Sequence, residues 1–109
     1  MSNRPIHLLI DDMLDAIGRI EQYTQDMFYE TFSNDQKTID AVVRNLEIIG
    51  EAANRLPDEF KEKQSDVEWY KVVGLRHRIV HEYFGIDVQI IWQILQNDLP
   101  VLRKYLSLM

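Results

Sequence analysis

Apolar residues recur three and four positions apart along most of this chain, which is the spacing of one face of an α-helix. The first such stripe predicts a helix from about residue 5 to residue 24. After it, Phe28 and Phe32 lie one helical turn apart and predict a short helix that covers one end of the core. Asn34 or Asp35 is expected to cap the next long helix, because a short polar side chain can accept a hydrogen bond from a free backbone N–H there.

A second stripe runs from residue 39 to residue 56 and predicts a second long helix that stops at Pro57. The polar segment 57–66 is expected to be a loop or a weak turn of helix. Ser65 or Asp66 is the expected cap of the helix that follows.

The third predicted helix ends at Gly85, because glycine suits the left-handed conformation that often terminates a helix. Its apolar stripe consists of Trp69, Val73, Val80 and Phe84. Asp87 is expected to cap a fourth helix. Pro100 should kink or split that helix, with Asp98 capping its second piece.

Four helices with short connections and no alternating strand pattern predict an all-α fold, an antiparallel up-and-down four-helix bundle with an additional short helix. Residues 1–109 are expected to form one domain. Trp69, Ile91, Trp92 and the leucines of the fourth helix exceed what one narrow stripe needs. Some of them are therefore expected in a homodimer interface.

Charge and composition limit the location and the ligands. The chain has no cysteine, no signal-peptide pattern at its start and no run of apolar residues that could cross a membrane, so we expect a cytoplasmic protein without membrane contact. The net charge of −6 opposes polyanion binding, but residues 1–66 carry −7 and residues 67–109 carry +1. Any nucleic acid is therefore expected to meet the second half of the chain.

The candidate chemistry lies in "GLRHRIVHEYFGID", residues 74–87. On one straight helix Arg76 and Tyr83 share a face, whereas His81 lies about 140° away from Arg76. The helix could distort near its Gly85 end, Arg76 could reach His81 across a shallow groove, or the same elements of a second subunit could complete the pocket, which is the most economical interpretation. Alternatively, these cations only complement the negative end of the helix dipole and Tyr83 extends from the core.

The spacing of Arg76, His81 and Tyr83 resembles the R-x4-H-x-Y signature of HEPN domains. Three longer blocks, "AVVRNLEIIGEAANRLP", "WYKVVGLRHRIVHEYFGID" and "IIWQILQNDLPVL", resemble the HepT branch of that family. His77 stands where this branch usually has asparagine. The resemblance covers nearly the whole chain.

That resemblance implies a metal-independent endoribonuclease toxin of a type VII-like toxin–antitoxin module. It implies a homodimer with the two motifs facing each other, no cofactor, and a minimal nucleotidyltransferase as the antitoxin partner. Arg76, His81 and Tyr83 would be catalytic. Tyr83 would also be the hydroxyl to which the partner attaches AMP, which silences the toxin.

These side chains suit RNA cleavage, since RNA carries its own nucleophile in the 2′-hydroxyl. His81 can move a proton near neutral pH, and the guanidinium of Arg76 can stabilise negative charge on phosphate oxygens. Tyr83 can hydrogen-bond the phosphate or orient the histidine. The dependence on a 2′-hydroxyl predicts cleavage of RNA and not of DNA.

Other polar residues have weaker claims. His77, Arg78 and Glu51 could support the site, and either Glu47 or Glu51 could orient Arg76, although pairing with Arg44 and Arg55 along their own helix is the simpler role for both glutamates. His77 and His81 have the spacing of a two-histidine metal site but lack the glutamate of a zincin motif, so no metal is expected.

Two further alternatives concern the chain as a whole and its last helix. A non-catalytic adaptor that presents a nucleotide or substrate to a nucleotidyltransferase is the alternative function, and the acidic net charge favours it. The pair Arg103 and Lys104 could extend an RNA surface, or could simply complement the end of the last helix.

Overall fold

The computed structural model describes residues 3–81 and 85–109, with the backbone alone at His81. This part of the chain is predominantly helical, which confirms the predicted all-α class. No helix within it is long and apolar enough to cross a membrane. The helices are α1 Ile6–Tyr23, α2 Tyr29–Ser33, α3 Gln36–Arg55, α4 Asp58–Lys63, α5 Trp69–Val73, α6 Leu75–Ile79, α7 Val88–Gln93 and α8 Leu99–Ser107.

Three shorter elements complete the described part of the chain. A π-helical turn, Ile94–Asp98, joins α7 to α8. Between α6 and α7 lie two strands of two residues each, β1 Val80–His81 and β2 Gly85–Ile86, which pair antiparallel. The count of four bundle helices and the homodimer stay predictions.

The core lies where the apolar faces of α1 and α3 meet, with α8 against α1 and α5 and α6 against α3. The spacing of three and four that predicted α1 and α3 puts their apolar residues on single faces, and burial of those faces supplies the main drive to fold. The largest fully buried side chains are Phe32, Met13, Ile17, Ile20, Leu46, Ile49, Ile79, Ile91, Ile94, Leu106 and Val42.

Asp35 caps α3, as one of the two predicted residues. Its carboxylate accepts hydrogen bonds from the backbone N–H of Thr38 at 3.0 Å and from the Thr38 hydroxyl at 2.8 Å. These two bonds stabilise the charged form and lower the pKa of Asp35 below its ordinary value. The short polar side chain thus determines where the long helix begins.

The contact between α3 and α5 depends on a glycine. A Cβ atom on Gly50 would lie 3.2 Å from the carbonyl oxygen of Val72 and 3.4 Å from that of Val73. Any larger residue would therefore push the backbone of α5 away. Gly50 is what lets α5, and α6 directly after it, lie close to α3.

The predicted third helix is wrong in its bounds. It is divided into α5 and α6, which meet at Gly74, and α6 ends at Ile79 rather than near Gly85. Neither Ser65 nor Asp66 caps it, because α5 begins after Glu68 without a side-chain capping bond. Phe84, which the stripe included, lies outside the described residues.

Two short antiparallel strands, here called the hairpin, follow α6 where the prediction continued the helix. Val80 pairs with Ile86 and His81 with Gly85, and the Asp87 N–H donates to the Ile79 carbonyl oxygen at 2.7 Å. Gly85 has φ +77°, the left-handed region that favours glycine. The helix period could not reveal this, because a strand of two residues is too short to show alternation.

The fourth predicted helix is a continuous helical run with a π-helical turn inside it. Asp87 caps α7 as predicted, accepting from the Ile90 N–H at 3.1 Å. Asp98 makes no side-chain cap, so that prediction is wrong. Pro100, which lacks a backbone N–H, sits in the first turn of α8, directly after the π-helical turn that interrupts the regular ladder.

The apolar residues predicted for a homodimer interface are largely used inside the chain. Trp69 is 7 % exposed and its indole N–H donates to the Gln64 carbonyl oxygen, and Ile91 is fully buried. Trp92 contacts the rings of Tyr29 and Phe32 at 6.2 and 5.1 Å between centroids. The short helix α2 thus covers one end of the core through Phe32. The other residue predicted to do so, Phe28, is exposed.

Gly50→Ala should reduce the free energy of unfolding by about 1–2 kcal/mol, because the clash with the α5 carbonyls outweighs the helix propensity gained by alanine. The matched control is Gly18→Ala, also inside a helix, whose Cβ would meet the Arg103 Nη2 at an ordinary 3.6 Å. That change should stabilise the protein by about 0.5–1 kcal/mol. Denaturant unfolding measures both, and equal stabilisation by the two alanines would contradict the close approach at Gly50.

Candidate active site

Arg76 presents its guanidinium at the protein surface beside a carboxylate. The side chain projects from α6 and is 75 % exposed, and its Nε lies 3.9 Å from Oε2 of Glu47 on α3, which is 35 % exposed. At this distance the pair attracts electrostatically without a close hydrogen bond. Glu47 is one of the two glutamates expected to orient Arg76, and it lies beside that residue. The N–H donors of the Arg76 guanidinium stay available for a ligand.

An open groove between α3 and α5–α6 surrounds this pair. Polar residues contribute most of its walls, including Arg44, Glu47, Glu51 and Arg76, and Gly50 forms part of its floor. The same glycine that permits the close packing of α5 therefore lies at the base of the groove. A groove lined by guanidinium and carboxylate groups suits a charged ligand better than an apolar one.

Arg78, which the sequence named as a possible supporting residue of the site, forms an ion pair with Asp98. Its Nη1 lies 2.7 Å from Oδ2 of Asp98, and the two side chains are 34 % and 39 % exposed. This ion pair holds α6 to the π-helical turn. His77, the residue between Arg76 and Arg78, is exposed.

Glu51 pairs along its own helix, as the simpler interpretation predicted. Arg55 Nη2 lies 3.2 Å from Glu51 Oε1, one turn away on α3. Glu51 also lines the groove that contains Arg76. It belongs to the surroundings of the site without contacting Arg76 at ion-pair distance.

The other two predicted catalytic residues are His81, of which the structure describes only the backbone, and Tyr83, which lies outside the described residues. The backbone of His81 lies in β1 opposite Gly85. Because α6 ends at Ile79, the angle expected for one straight helix does not apply to Arg76 and His81. The chain changes from helix to strand between them, which is the distortion that the sequence left open, although it occurs earlier than expected.

The described residues contain no group of three or more histidine, cysteine, aspartate or glutamate side chains that could hold a metal ion. Glu47 lies near Arg76, and Glu51 pairs with Arg55. The expectation that the reaction needs no metal ion stays a prediction.

Arg103 has a structural role that the sequence did not suggest. Its Nε and Nη2 donate to the two carboxylate oxygens of Glu21 at 2.9 and 2.7 Å. The bond ties α8 to α1 across 82 positions of sequence. Both interpretations offered for Arg103, an RNA surface and a complement to the helix end, overlooked this partner.

The sequence also gave little reason to single out Arg44. Its only signal was position, because Arg44, Glu47 and Glu51 follow the three- and four-residue spacing of one helix face. That face proves to border the groove of Arg76. Which element would lie opposite it could not be read from the chain.

The Arg78–Asp98 pair should show a coupling free energy of about 0.5–1 kcal/mol in a double-mutant cycle with Arg78→Ala and Asp98→Ala, because both side chains are partly shielded from water. The comparison pair is Lys63 and Glu59, which are 3.8 Å apart and 73 % and 83 % exposed. Its coupling should be smaller, at about 0–0.3 kcal/mol. Unfolding in denaturant measures both cycles, and equal couplings would show that α6 is not tied to the π-helical turn.

Comparison with known proteins agrees with the sequence blocks around this groove. Residues 13–109 match the family model described as "HepT-like: Ribonuclease HepT-like". The chain is 38 % identical over 104 residues to "Putative RNase MJ1380" of Methanocaldococcus jannaschii, covering 95 % of each chain. It is 38 % identical over 94 residues to "Probable ribonuclease HepT" of Thermococcus cleftensis, covering 86 % of each.

A third relative, "Putative RNase TTE0752" of Caldanaerobacter subterraneus subsp. tengcongensis, is 46 % identical over 76 residues, which cover 70 % of this chain and 68 % of that one. No solved structure matches the chain. The family match extends over the helices that form the groove and over the segment that carries Arg76. The chain belongs to the HepT-like ribonuclease family.

Proposed function

We propose that this protein is a metal-independent endoribonuclease that cleaves RNA with Arg76, His81 and Tyr83. The observation that carries the proposal is the exposed guanidinium of Arg76 in a polar groove, five residues before a histidine, in a member of the HepT-like ribonuclease family. The relatives' names, which call them ribonucleases or RNases, support the same reaction class.

The reaction needs only groups that RNA and these side chains supply. The 2′-oxygen loses its proton to a base and forms a bond to the adjacent phosphorus, and the bond from phosphorus to the 5′-oxygen breaks as that oxygen gains a proton. An imidazole can take or give such a proton near neutral pH. A guanidinium can stabilise the additional charge on the phosphorane oxygens.

The setting of Arg76 fits the second of these roles. Its side chain is held beside Glu47 at 3.9 Å, too far for a close hydrogen bond, and is mostly open to solvent. An arriving phosphate can therefore be bound by the fork of N–H donors without first breaking a strong contact. Glu47 limits the orientations that the guanidinium samples before the substrate arrives.

A homodimer would bring two motif copies into one cleft, and the hairpin offers a surface for it. Val80 and Ile86 are cross-strand partners that flank His81 and Gly85, and they are 43 % and 37 % exposed. Burying this apolar pair against a second copy would be favourable. The support for a dimer thus comes from the hairpin rather than from the tryptophans and leucines.

The proposed cellular role is that of a toxin in a type VII-like toxin–antitoxin module in the cytoplasm. A minimal nucleotidyltransferase would act as the antitoxin by attaching AMP to Tyr83. The added phosphate would place negative charge near a cation that the substrate needs, and its bulk would fill the cleft. The resemblance of the three sequence blocks supports this role.

Purified protein should cut RNA in the presence of EDTA, and Arg76→Ala and His81→Ala should each lower the rate by about 10²- to 10⁴-fold, because each removes a group that acts in the transition state. Arg19→Ala is the matched control, since it removes an exposed arginine from α1, away from the groove. A 2′-deoxy substitution at the cut site should abolish cleavage. Gel electrophoresis of a labelled RNA measures all of these.

A protein that is inert on every RNA while still binding a nucleotidyltransferase would contradict the nuclease and favour the non-catalytic adaptor. The acidic net charge of −6 is the observation on which that second candidate depends.

Incubation with ATP and the partner nucleotidyltransferase should add an AMP-sized mass to the peptide that contains Tyr83 and should abolish RNA cleavage, since the modification fills the phosphate site. Tyr83→Phe should prevent the mass gain. The control is Tyr70→Phe, because Tyr70 on α5 is 72 % exposed and should not be modified. Peptide mass spectrometry checks this, and modification of another residue with Tyr83 left free would overturn the proposed switch.

A further inference from the structure

The groove of Arg76 contains a second exposed arginine on its opposite wall. Arg44 projects from α3 and lines the same groove as Arg76. We propose that Arg44 binds a second phosphate of the RNA substrate, close to the phosphate that Arg76 would hold at the cleavage site. This inference rests on the proposed ribonuclease function. It adds the path that the RNA strand takes along the groove.

The charges in the groove cancel in pairs, except at Arg44. Glu47 lies 3.9 Å from Arg76, and Glu51 lies 3.2 Å from Arg55. Within residues 3–81 and 85–109, Arg44 makes neither a hydrogen bond nor an ion pair, although two glutamates follow it on the same helix. Its positive charge is therefore available for a ligand.

The geometry of α3 determines the order of these groups. Residues three and seven positions apart lie on one face of an α-helix, so Arg44, Glu47 and Glu51 form one row. Arg44 precedes Glu47 by about 4.5 Å along the helix axis. A strand held at Arg76 must therefore pass over the wall of α3 near Glu47 to reach Arg44.

A second groove continues this route on the other side of the row. Arg44 and Glu51 line both grooves, and the second one also contains Arg55 and Asp12, the latter paired with Arg4. Arg55 is paired with Glu51, so its net contribution is smaller than that of Arg44. The positive charge along this route is therefore uncompensated at Arg44 and partly compensated at Arg76, beside Glu47, and at Arg55, beside Glu51.

The surrounding charge makes a phosphate the best fit for this position. Residues 1–66 carry a net −7, and acidic groups over most of that half would repel a polyanion. Arg44 is a local exception that faces the segment carrying Arg76. An extended single strand can touch two cations that line one groove and leave the acidic remainder of the surface uncovered.

The test uses Arg44→Ala in the full-length protein, with Arg19→Ala as the matched control, because both remove an exposed arginine from a long helix. Arg44→Ala should raise KM for a single-stranded RNA about threefold to tenfold and leave kcat within about twofold, because it removes one charged contact to a phosphate that does not react. In the logarithmic plot of binding constant against salt, measured with an RNA that carries 2′-deoxyribose at the cut site, the slope should become shallower by about 0.7. Arg19→Ala should change neither quantity.

A substrate modification identifies the phosphate itself. RNAs that each carry one neutral methylphosphonate linkage near the cut site should show a position where neutralisation weakens binding to the unmodified protein but not to Arg44→Ala. Such loss of additivity is the signature of a direct contact.

The outcomes separate the ribonuclease proposal from the proposal of a phosphate subsite at Arg44. If the unmodified protein neither binds nor cuts RNA, the ribonuclease and the subsite fall together. If it cuts RNA while Arg44→Ala keeps the original KM and salt slope, the subsite alone is overturned. A change in oligomeric state on sedimentation of Arg44→Ala would show that Arg44 contacts a second subunit, and would also overturn the phosphate assignment.

Discussion

The close approach of α5 to α3 at Gly50 is the constraint on which the arrangement of the site depends. Because glycine has no side chain, the carbonyl oxygens at the end of α5 can lie against α3, and α6 follows directly from α5. This brings Arg76 within 3.9 Å of Glu47. The distance between the two helices along the groove is therefore one that a side chain at position 50 would widen.

The point at which α6 ends shapes the candidate site as much as the position of the helix does. The ion pair from Arg78 to Asp98 ties the helix to the π-helical turn, and the bond from Asp87 to the Ile79 carbonyl closes the base of the hairpin. Between these contacts the chain turns from helix to strand. The segment that follows Arg76 consequently leaves the helix axis and is free of the fixed angular spacing that one helix would impose.

Electrostatics reconcile an acidic protein with the proposed RNA substrate. Most arginines near the groove are balanced by a neighbouring carboxylate, as Arg55 is by Glu51, and Arg103 is balanced far from it by Glu21. Exposed pairs of this kind contribute little to stability, but they remove net charge from the surface. What attracts a polyanion is then the small number of cations left uncompensated or only loosely paired, so a net charge of −6 does not by itself exclude RNA.

The sequence by itself determined the helical class and, to within a few residues, the bounds of α1 and α3, because periodicity is a local property. It also predicted the cap at Asp87 and narrowed the cap of α3 to Asn34 or Asp35, between which the structure decided. Its motif and blocks also identified the family and pointed to Arg76. Only the tertiary structure decided that α6 ends at Ile79, that Arg78 and Arg103 are held in ion pairs, and that Glu47 and Arg44 border the groove of Arg76. Those outcomes depend on which residues meet across the fold, and contacts between distant segments leave no periodic signal in the chain.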